Sequence, residues 1–182
     1  GTLCVIGREP GILNVLQREV LSNLARVAVV AMESRRLAIL RANSEARFRA
    51  LSEASPLGIY AADTQGACIY TNTKWQAIYG LSETQSRGSG WTEAIHPEDK
   101  AAVFAHWQAC ADSGETFAMD FRIHQPGSEL RTVHSTARQT LDEHGLLTGF
   151  VGAVEDITEK SASKLITESL MSIILKHRIV SF

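Results

Sequence analysis

The sequence predicts an α+β domain: one five-stranded antiparallel sheet with helices on one face, flanked by a long N-terminal helix and a C-terminal exit helix. Three observations predict this fold class. Residues 12–51 contain neither proline nor glycine, which is typical of a long helix. Strand-like runs at 57–62 and 67–71 flank a turn, and three further runs follow residue 115. Helical segments between such a hairpin and a three-stranded meander are typical of an α+β domain.

Composition excludes several classes of protein. The 182 residues are 45% hydrophobic, so the chain is not disordered throughout, and they suffice for one domain with helical extensions or two small ones. The 18 basic and 20 acidic residues are nearly balanced, so we expect no nucleic-acid partner. No apolar run approaches the roughly 18 residues of a membrane span. Three cysteines, Cys4, Cys68 and Cys110, form neither a disulfide framework nor a zinc pattern, so we expect a cytoplasmic location.

The N-terminal helix carries apolar residues at spacings of three and four, as an amphipathic helix requires. A similar apolar side is predicted for the exit helix, at Leu165, Ile166, Leu170, Ile173 and Ile174. An exposed apolar stripe is stabilised by burial against another helix, and a second copy of the chain offers the same stripes. We therefore predict a parallel homodimer through these helices. The predicted interface residues of the N-terminal helix are Leu13, Leu16, Val20, Leu24 and Val27.

Polar residues interrupt this stripe between Leu40 and Phe48, which predicts either a phase shift or a mostly solvated stretch. Ser55-Pro56 then ends the helix, because the residue before proline is driven out of the α region.

Turn and cap residues place the next elements. Residues 63–66, Asp-Thr-Gln-Gly, suit a hairpin turn. Asn72 is a good N-cap for a helix that carries Trp75, and Gly80 suits the C-terminal cap of that helix. A short helix is predicted at 91–95.

A longer helix begins at His96-Pro97-Glu98-Asp99 and runs to about Asp112, where Ser113-Gly114 ends it. Proline and carboxylates in the first turn are what a helix start favours. This explains the cluster without a metal ion, and no metal site is predicted.

Three strands follow, at 116–124, 129–141 and 146–157, separated by turns at 125–128 and 142–145. The chain is predicted to be helical again after Thr158.

Eight short motifs follow one another along this region, and their order and spacing are more specific than any one of them. Together they resemble a PAS domain with its C-terminal PAC segment, over roughly residues 45–160. The resemblance implies a sensory module of a bacterial signalling protein. The motifs are Ser55-Pro56-Leu57-Gly58-Ile59, Asp63-x-x-Gly66, Tyr70-x-Asn72, Tyr79-Gly80-Leu81-Ser82-Glu83, His96-Pro97-Glu98-Asp99, Phe121-Arg122-Ile123, Gly149-x-x-Gly152 and Asp156-Ile157-Thr158-Glu159-Lys160.

Residues 1–36 resemble the last strand and helix of a GAF domain, with a strand at Leu3 to Ile6 and a turn at Pro10. Gly7 stands where that family often has aspartate. The two resemblances divide the chain into a GAF-like remnant (1–36), a helical linker (37–54), a PAS/PAC domain (55–158) and a C-terminal signalling helix with a tail (159–182). They also imply a fragment whose output domain, such as a histidine kinase or diguanylate cyclase, lies elsewhere.

No catalytic constellation accompanies these motifs. The sequence contains no Gly-x-Ser-x-Gly elbow, phosphate-binding loop, His-Glu-x-x-His or Cys-x-x-Cys motif. It also contains neither a kinase phosphoacceptor box nor a cyclase signature. The chain is therefore predicted not to be an enzyme.

The PAS resemblance implies a pocket between the sheet and the helices, which side chains either fill as ordinary core or leave open for a small molecule. His106 lies four residues before Cys110 on one helix face, where haem-binding relatives place an axial ligand, but bulky Trp91 and Trp107 argue against haem. The stretch 88–93 lacks the cysteine of flavin photosensors, and no cofactor is predicted. The alternative function is a receptor for haem, flavin or another small molecule. The predicted lining residues are Ile59, Ile69, Trp75, Ile78, Trp91, Val103, His106, Trp107, Phe121, Val133 and Phe150.

Asp156, Ile157 and Thr158 join the last strand to the exit helix. Thr158 can cap that helix, and Asp156 is predicted to pair with Arg122 or Arg138 on a neighbouring strand. The resemblance implies that a change in the sheet passes to the helix here, while the alternative is a plain strand-to-helix turn. The sequence thus predicts a sensory and dimerisation module.

Overall fold

The computed structural model describes residues 12–127, 129–164, 166, 167 and 171. The chain divides into two compact units, Gly1–Ala50 and Leu51–Phe182. The predicted GAF-like strand at Leu3 and turn at Pro10 lie outside the described residues, as do four apolar residues of the predicted exit-helix stripe. Those four are Leu165, Leu170, Ile173 and Ile174.

Helix α1 spans Val15–Glu53. It starts after Asn14, whose Oδ1 accepts from the Gln17 amide at 2.8 Å while the Gln17 side chain accepts from the Asn14 amide at 3.0 Å. This reciprocal pair is a capping box, which explains a start three residues later than predicted. The helix runs unbroken from Leu40 to Phe48, and the polar side chains there are exposed to solvent, as the solvated-stretch alternative predicts.

Within Leu51–Phe182 the described strands form one five-stranded antiparallel sheet in the order β2-β1-β5-β4-β3. The strands are β1 (Gly58–Ala62), β2 (Cys68–Thr71), β3 (Phe117–His124), β4 (Leu130–Leu141) and β5 (Leu147–Asp156). Each of the five strands predicted between residues 57 and 157 is present, with ends within one residue of the prediction. The predicted α+β fold class is confirmed.

Helices α2 (Thr73–Tyr79), α3 (Glu83–Ser86) and α4 (Pro97–Ser113), with a 3₁₀ helix at Gly90–Ala94, lie between β2 and β3 in the chain. They cover one face of the sheet with aromatic and aliphatic side chains. Helix α3 was not predicted; its sequence signal is Ser82 followed three residues later by Gln85, which form a capping box. The buried core includes Trp75, Ile78, Tyr79, Ile95, Val103, Phe117, Phe121, Ile123, Val133 and Val154.

The predicted helix ends of this layer are confirmed. Asn72 caps α2 through its side chain, and His96 caps α4, with Pro97 in the first turn. Gly80 ends α2 with a φ of 68°, a left-handed conformation that favours glycine. A Cβ on Gly80 would also lie 2.7 Å from Cδ of Pro126, so no side chain fits there.

A further helix begins at Thr158 and includes residues 158–164, as the sequence predicts. Among the described residues, no helix is both long enough and apolar enough to cross a membrane.

Candidate functional site: a cavity and a strand-to-helix junction

A cavity of about 30 Å³ lies between the covered face of the sheet and the helices. That volume is room for one or two water molecules. Strands β1 to β4, the β1–β2 turn, α2, the 3₁₀ helix and α4 all contribute to its wall. The lining residues are Tyr60, Ala62, Gly66, Cys68, Trp75, Tyr79, Trp91, Val103, Trp107, Phe117, Phe121 and Ser135.

Five of the predicted pocket residues line this cavity: Trp75, Trp91, Val103, Trp107 and Phe121. Periodicity explains why these side chains meet. Residues three or four apart lie on the same face of a helix, and residues two apart lie on the same face of a strand.

Three more predicted pocket residues lie on the same side of the sheet without lining the cavity. Ile78 and Val133 are buried core. Phe150 lines a smaller cavity of about 10 Å³, where its ring centroid lies 5.0 Å from that of Trp107.

The structure corrects the placement of Ile59 and Ile69. Successive strand side chains point to opposite faces, and Tyr60 points into the cavity, so Ile59 lies on the other face of the sheet. Ile69 likewise alternates with buried Cys68 and Tyr70, and is 50% exposed. Hydrophobicity alone predicts that both residues lie in the pocket, but the alternation of side chains along each strand decides which face of the sheet they occupy.

His106 does not line the cavity either. Its ring is exposed on α4 and stands 5.2 Å from the ring of Phe117, with Nε2 3.8 Å from Sγ of Cys110. The shared face of His106 and Cys110 is therefore as predicted, but that face does not open onto the cavity.

Four polar groups of the cavity were missed by sequence reasoning: Tyr60, Cys68, Tyr79 and Ser135. The Tyr60 and Ser135 hydroxyls are 3.2 Å apart, which joins β1 to β4 across the intervening β5. Tyr79 stacks on Trp75, with ring centroids 3.9 Å apart. The available signal was periodicity, because Tyr79 follows Trp75 by one helical turn and Tyr60 shares a face with Ala62.

Burial sets the protonation of these groups. Desolvation raises the pKa of Tyr60 to about 12, although the Ser135 hydrogen bond works in the opposite direction. It also raises the pKa of Tyr79 and of the Cys68 thiol. All three therefore stay neutral near pH 7, and none of the cavity-lining residues carries a charge.

The dimensions of the cavity limit what it holds. Sites for drug-sized molecules and cofactors enclose roughly 300–1,000 Å³, far more than the space between these side chains. A flavin or a haem needs more room than these side chains leave. Within the described residues, no three His, Cys, Asp or Glu side chains come together as metal ligands.

The second part of the site is the junction of β5 with the exit helix. Oδ1 of Asp156 accepts hydrogen bonds from the amide and the hydroxyl of Thr158, at 3.1 and 2.6 Å. Its Oδ2 pairs with Nη1 of Arg131 at 3.1 Å. Ile157, which lies between Asp156 and Thr158 in the chain, is buried, and its amide donates to the Thr132 carbonyl at 2.9 Å.

The predicted partners of Asp156 are wrong: the cation is Arg131, which stands before Thr132 on β4. The β4–β5 register pairs Val133 with Asp156, so Arg131 lies two residues from that pair and within reach of the carboxylate. Arg122 instead binds Asp99, with Nη2 2.6 Å from Oδ1.

The predicted cap is also corrected. Thr158 is the first helical residue, and its hydroxyl accepts from the Thr132 amide at 3.1 Å instead of capping the helix.

The charge on Asp156 is favoured in the folded chain. Desolvation alone would raise the pKa of its carboxyl, but the Thr158 hydrogen bonds and the Arg131 guanidinium outweigh it, so the pKa lies below its ordinary value. The same carboxylate thus binds β4 and the first turn of the exit helix.

Known proteins share this arrangement of elements. Residues 52–162 match the family model of the PAS fold. The uncharacterized protein y4lL of Sinorhizobium fredii is 33% identical over 117 residues, which are 64% of this chain and 14% of that protein. The peroxide stress-activated histidine kinase mak1 of Schizosaccharomyces pombe is 35% identical over 99 residues, which are 50% of this chain and 6% of the kinase. The chain thus spans only a small part of the length of either relative.

A solved structure of a sensory box histidine kinase/response regulator from Burkholderia thailandensis shares the fold, with a TM-score of 0.57 and 18% identity. The likeness covers 71% of this chain and 98% of that one. Because the matched residues 52–162 are more than half of the 182, this chain belongs to the PAS-fold family.

Proposed function

We propose that this chain is a sensory and dimerisation module of a signal-transduction protein. A change at the cavity or in the sheet passes to the exit helix through Asp156, Ile157 and Thr158. Membership of the PAS-fold family supports a sensory role, and the histidine kinase of Schizosaccharomyces pombe is a signalling relative. Because the chain spans 6% of that kinase, the output activity is expected in the rest of a longer protein.

The observation that carries the proposal is the double connection of one residue of β4, Thr132, to the junction. The Thr132 amide donates to the Thr158 hydroxyl, and the Thr132 carbonyl accepts from the Ile157 amide. Any movement of β4 along its axis therefore displaces the first turn of the exit helix. A plain strand-to-helix turn needs no such tie to a neighbouring strand.

Strand β4 also connects the junction to the cavity. Ser135 lines the cavity and stands three residues after Thr132, a distance of about 10 Å along the strand. Ser135 pairs with Val154 in the β4–β5 ladder, and this ladder begins at Val133, the residue after Thr132. The path from cavity to helix is thus one short segment of strand.

Hydrogen exchange of the exit helix tests this path. We expect Ser135→Ala, which removes the cavity hydroxyl, to change the exchange rates of the amides at 158–164 severalfold. Thr136→Ala is the matched control, because Thr136 lies next along β4 and lines the opposite face of the sheet. If the two variants leave exchange of these amides equally unaffected, the proposed path is wrong.

Dimerisation is proposed through the apolar stripe of α1. Leu16, Val20, Leu24 and Val27 are each at least 50% exposed, and a large apolar stripe on a helix is stabilised by burial against another helix. A second copy of this chain presents the same apolar stripe, and two parallel helices would pack these stripes against each other.

Light scattering of purified variants tests the dimer. We expect Val20→Glu to be monomeric, because the carboxylate would enter the apolar seam. Ser22→Glu is the control, since two residues turn the helix by about 200° and place the charge on the far side. A dimeric Val20→Glu chain would falsify the helical interface.

A further inference from the structure

The C-terminal part of α1 is strongly basic. Residues 35–49, which we call the basic segment, contain five arginines and one glutamate, a net charge of +4. Since the whole chain carries −2, all its other residues together carry −6. The near balance of the composition, which predicts no nucleic-acid partner, therefore conceals a separation of charge along the chain. Such a separation indicates an interaction with a partner of opposite charge.

The arginines of the basic segment are accessible to such a partner. Every residue of the segment is exposed. Arg49 pairs with Glu45 at 3.2 Å, one helical turn away. In the part of the chain that the structure describes, no salt bridge is formed by the other four arginines, which are Arg35, Arg36, Arg41 and Arg47. The proposed dimer stripe, residues 13–27, ends before the segment begins, so pairing of two α1 helices there leaves these arginines available.

The four arginines point in three directions around the helix axis. At about 100° per residue, Arg36 and Arg47 share one side, while Arg35 and Arg41 lie about 100–140° from them on either side. Leu37, which is 67% exposed, falls between the directions of Arg47 and Arg41. Charged and apolar side chains are therefore mixed around this part of α1.

This mixing distinguishes between the polyanions that the segment could bind. A helix that lies on a membrane keeps its charged face and its apolar face apart, which this segment does not. A flat acidic protein surface would also meet only one side of the helix. The major groove of a nucleic-acid duplex admits an α-helix, and phosphates of both strands then flank it. Cations on several sides of one helix suit that surrounding best.

We propose that the basic segment of α1 binds double-stranded nucleic acid through its phosphate groups. All five cations of the segment are arginines, and the planar guanidinium can donate two parallel hydrogen bonds to one phosphate. This activity goes beyond the proposed sensory function and gives the chain a second kind of partner.

Fluorescence anisotropy of a labelled DNA duplex, about two helical turns long, tests the proposal on the full chain. The test variant replaces four arginines by glutamine, which has nearly the same helix propensity, so α1 should remain helical by circular dichroism. Its substitutions are Arg35→Gln, Arg36→Gln, Arg41→Gln and Arg47→Gln. The control variant loses the same number of positive charges from exposed positions outside α1. Its substitutions are Lys74→Gln, Arg138→Gln, Lys160→Gln and Lys164→Gln.

We expect the test variant to bind the duplex at least tenfold more weakly than the parent chain, and the control variant to stay within about twofold of the parent. Four phosphate contacts also predict a steep salt dependence, because each contact releases counterions. Raising the salt from about 50 to about 150 mM should weaken binding by the parent about fiftyfold, and binding by the test variant far less.

Three results would overturn the proposal. The first is no anisotropy change at about 50 mM salt up to the solubility of the protein. The second is an equal loss of affinity in the two variants, which would mean that only the net charge of the chain matters. The third is binding to phosphatidylglycerol vesicles, or displacement of the duplex by polyglutamate, at lower concentration than the duplex itself requires. That result would identify a membrane or an acidic protein as the partner.

Discussion

The two places where helices join the sheet of this PAS-fold chain are held by different chemistry. At the end of α1 the junction centres on Asn72, which is fully buried. Its Oδ1 accepts from the Ile59 and Trp75 amides, both at 2.8 Å. Its Nδ2 donates to the carbonyls of Ser52 at 2.7 Å and Leu57 at 3.1 Å. We refer to this arrangement as the Asn72 junction.

At the start of the exit helix the corresponding residue is Asp156, and its surroundings are partly solvated. The side chains of Asp156 and Arg131 are 29% and 25% exposed. We refer to this arrangement as the Asp156 junction. Its bonds are charge-assisted, and water competes for each of them.

The difference shows which junction suits a moving element. Breaking a buried neutral hydrogen bond leaves both groups without water, so the full cost of desolvation opposes it. Breaking a partly exposed ionic contact costs less, because solvent replaces the lost partner. The Asn72 junction therefore fixes the end of α1 to the sheet domain, while the Asp156 junction can open and re-form at a small cost, as the proposed signal path requires.

The largest expected effect comes from breaking the Asn72 junction. Asn72→Ala removes four hydrogen bonds and leaves the backbone groups that make them without a partner. We therefore expect a loss of about 3–4 kcal/mol in the free energy of unfolding. Ser82→Ala is the control, because Ser82 is exposed and caps α3 without reaching a distant segment, and it should cost about 1 kcal/mol. Urea unfolding measures both. If Asn72→Ala costs no more than Ser82→Ala, the Asn72 junction is only a helix cap.

The Asn72 junction also shows how far the sequence can predict the fold. Asparagine before an apolar helical stretch predicts the cap of α2, because the cap is local. The bond to Ser52 spans twenty residues and depends on how α1 meets the sheet. Strand boundaries were predictable for the same reason as the cap, since the turn residues that end each strand are adjacent to it in the chain.

The face of a strand was predictable only where one face is polar. In β1 the residues Ile59, Tyr60 and Ala61 are all compatible with burial, so their composition does not show which of them point toward the helices. For this reason the sequence predicts the wrong face for Ile59, and likewise for Ile69 on β2. The partner of Asp156 depends on the register between β4 and β5, which the loop between them does not reveal. Strands β3 and β4 carry three arginines, at 122, 131 and 138. Only the β4–β5 register shows that Arg131 is the one that pairs with Asp156.

A smaller effect is expected at the Asp156 junction. A double-mutant cycle of Asp156→Asn and Arg131→Gln should give a coupling energy of about 0.5–1 kcal/mol in urea unfolding. At 1 M salt, where the screening length is about 3 Å, the coupling should fall by half or more, whereas the cost of Asn72→Ala should not change. Glu155→Gln, the loss of an exposed charge next to Asp156, is the control and should show no coupling with Arg131→Gln. A salt-independent coupling would mean that the Asp156 junction is as buried as the Asn72 junction.

The smallest expected effect is a response of the Asp156 junction to acid. Because the pKa of Asp156 lies below its ordinary value, its stabilising contribution is present above the unfolded pKa of about 4 and is lost as the pH falls through the lower folded value. The loss is partial, since a protonated carboxyl still accepts from Thr158 while its attraction to Arg131 disappears. We expect the Thr158 amide signal to titrate at a pH below 4 and to become pH-independent in Asp156→Asn. The Trp75 amide, bonded to uncharged Asn72, should not follow that midpoint. If the amides of Thr158 and Trp75 titrate together, the two junctions open as one unit, and the Asp156 junction does not open independently of the Asn72 junction.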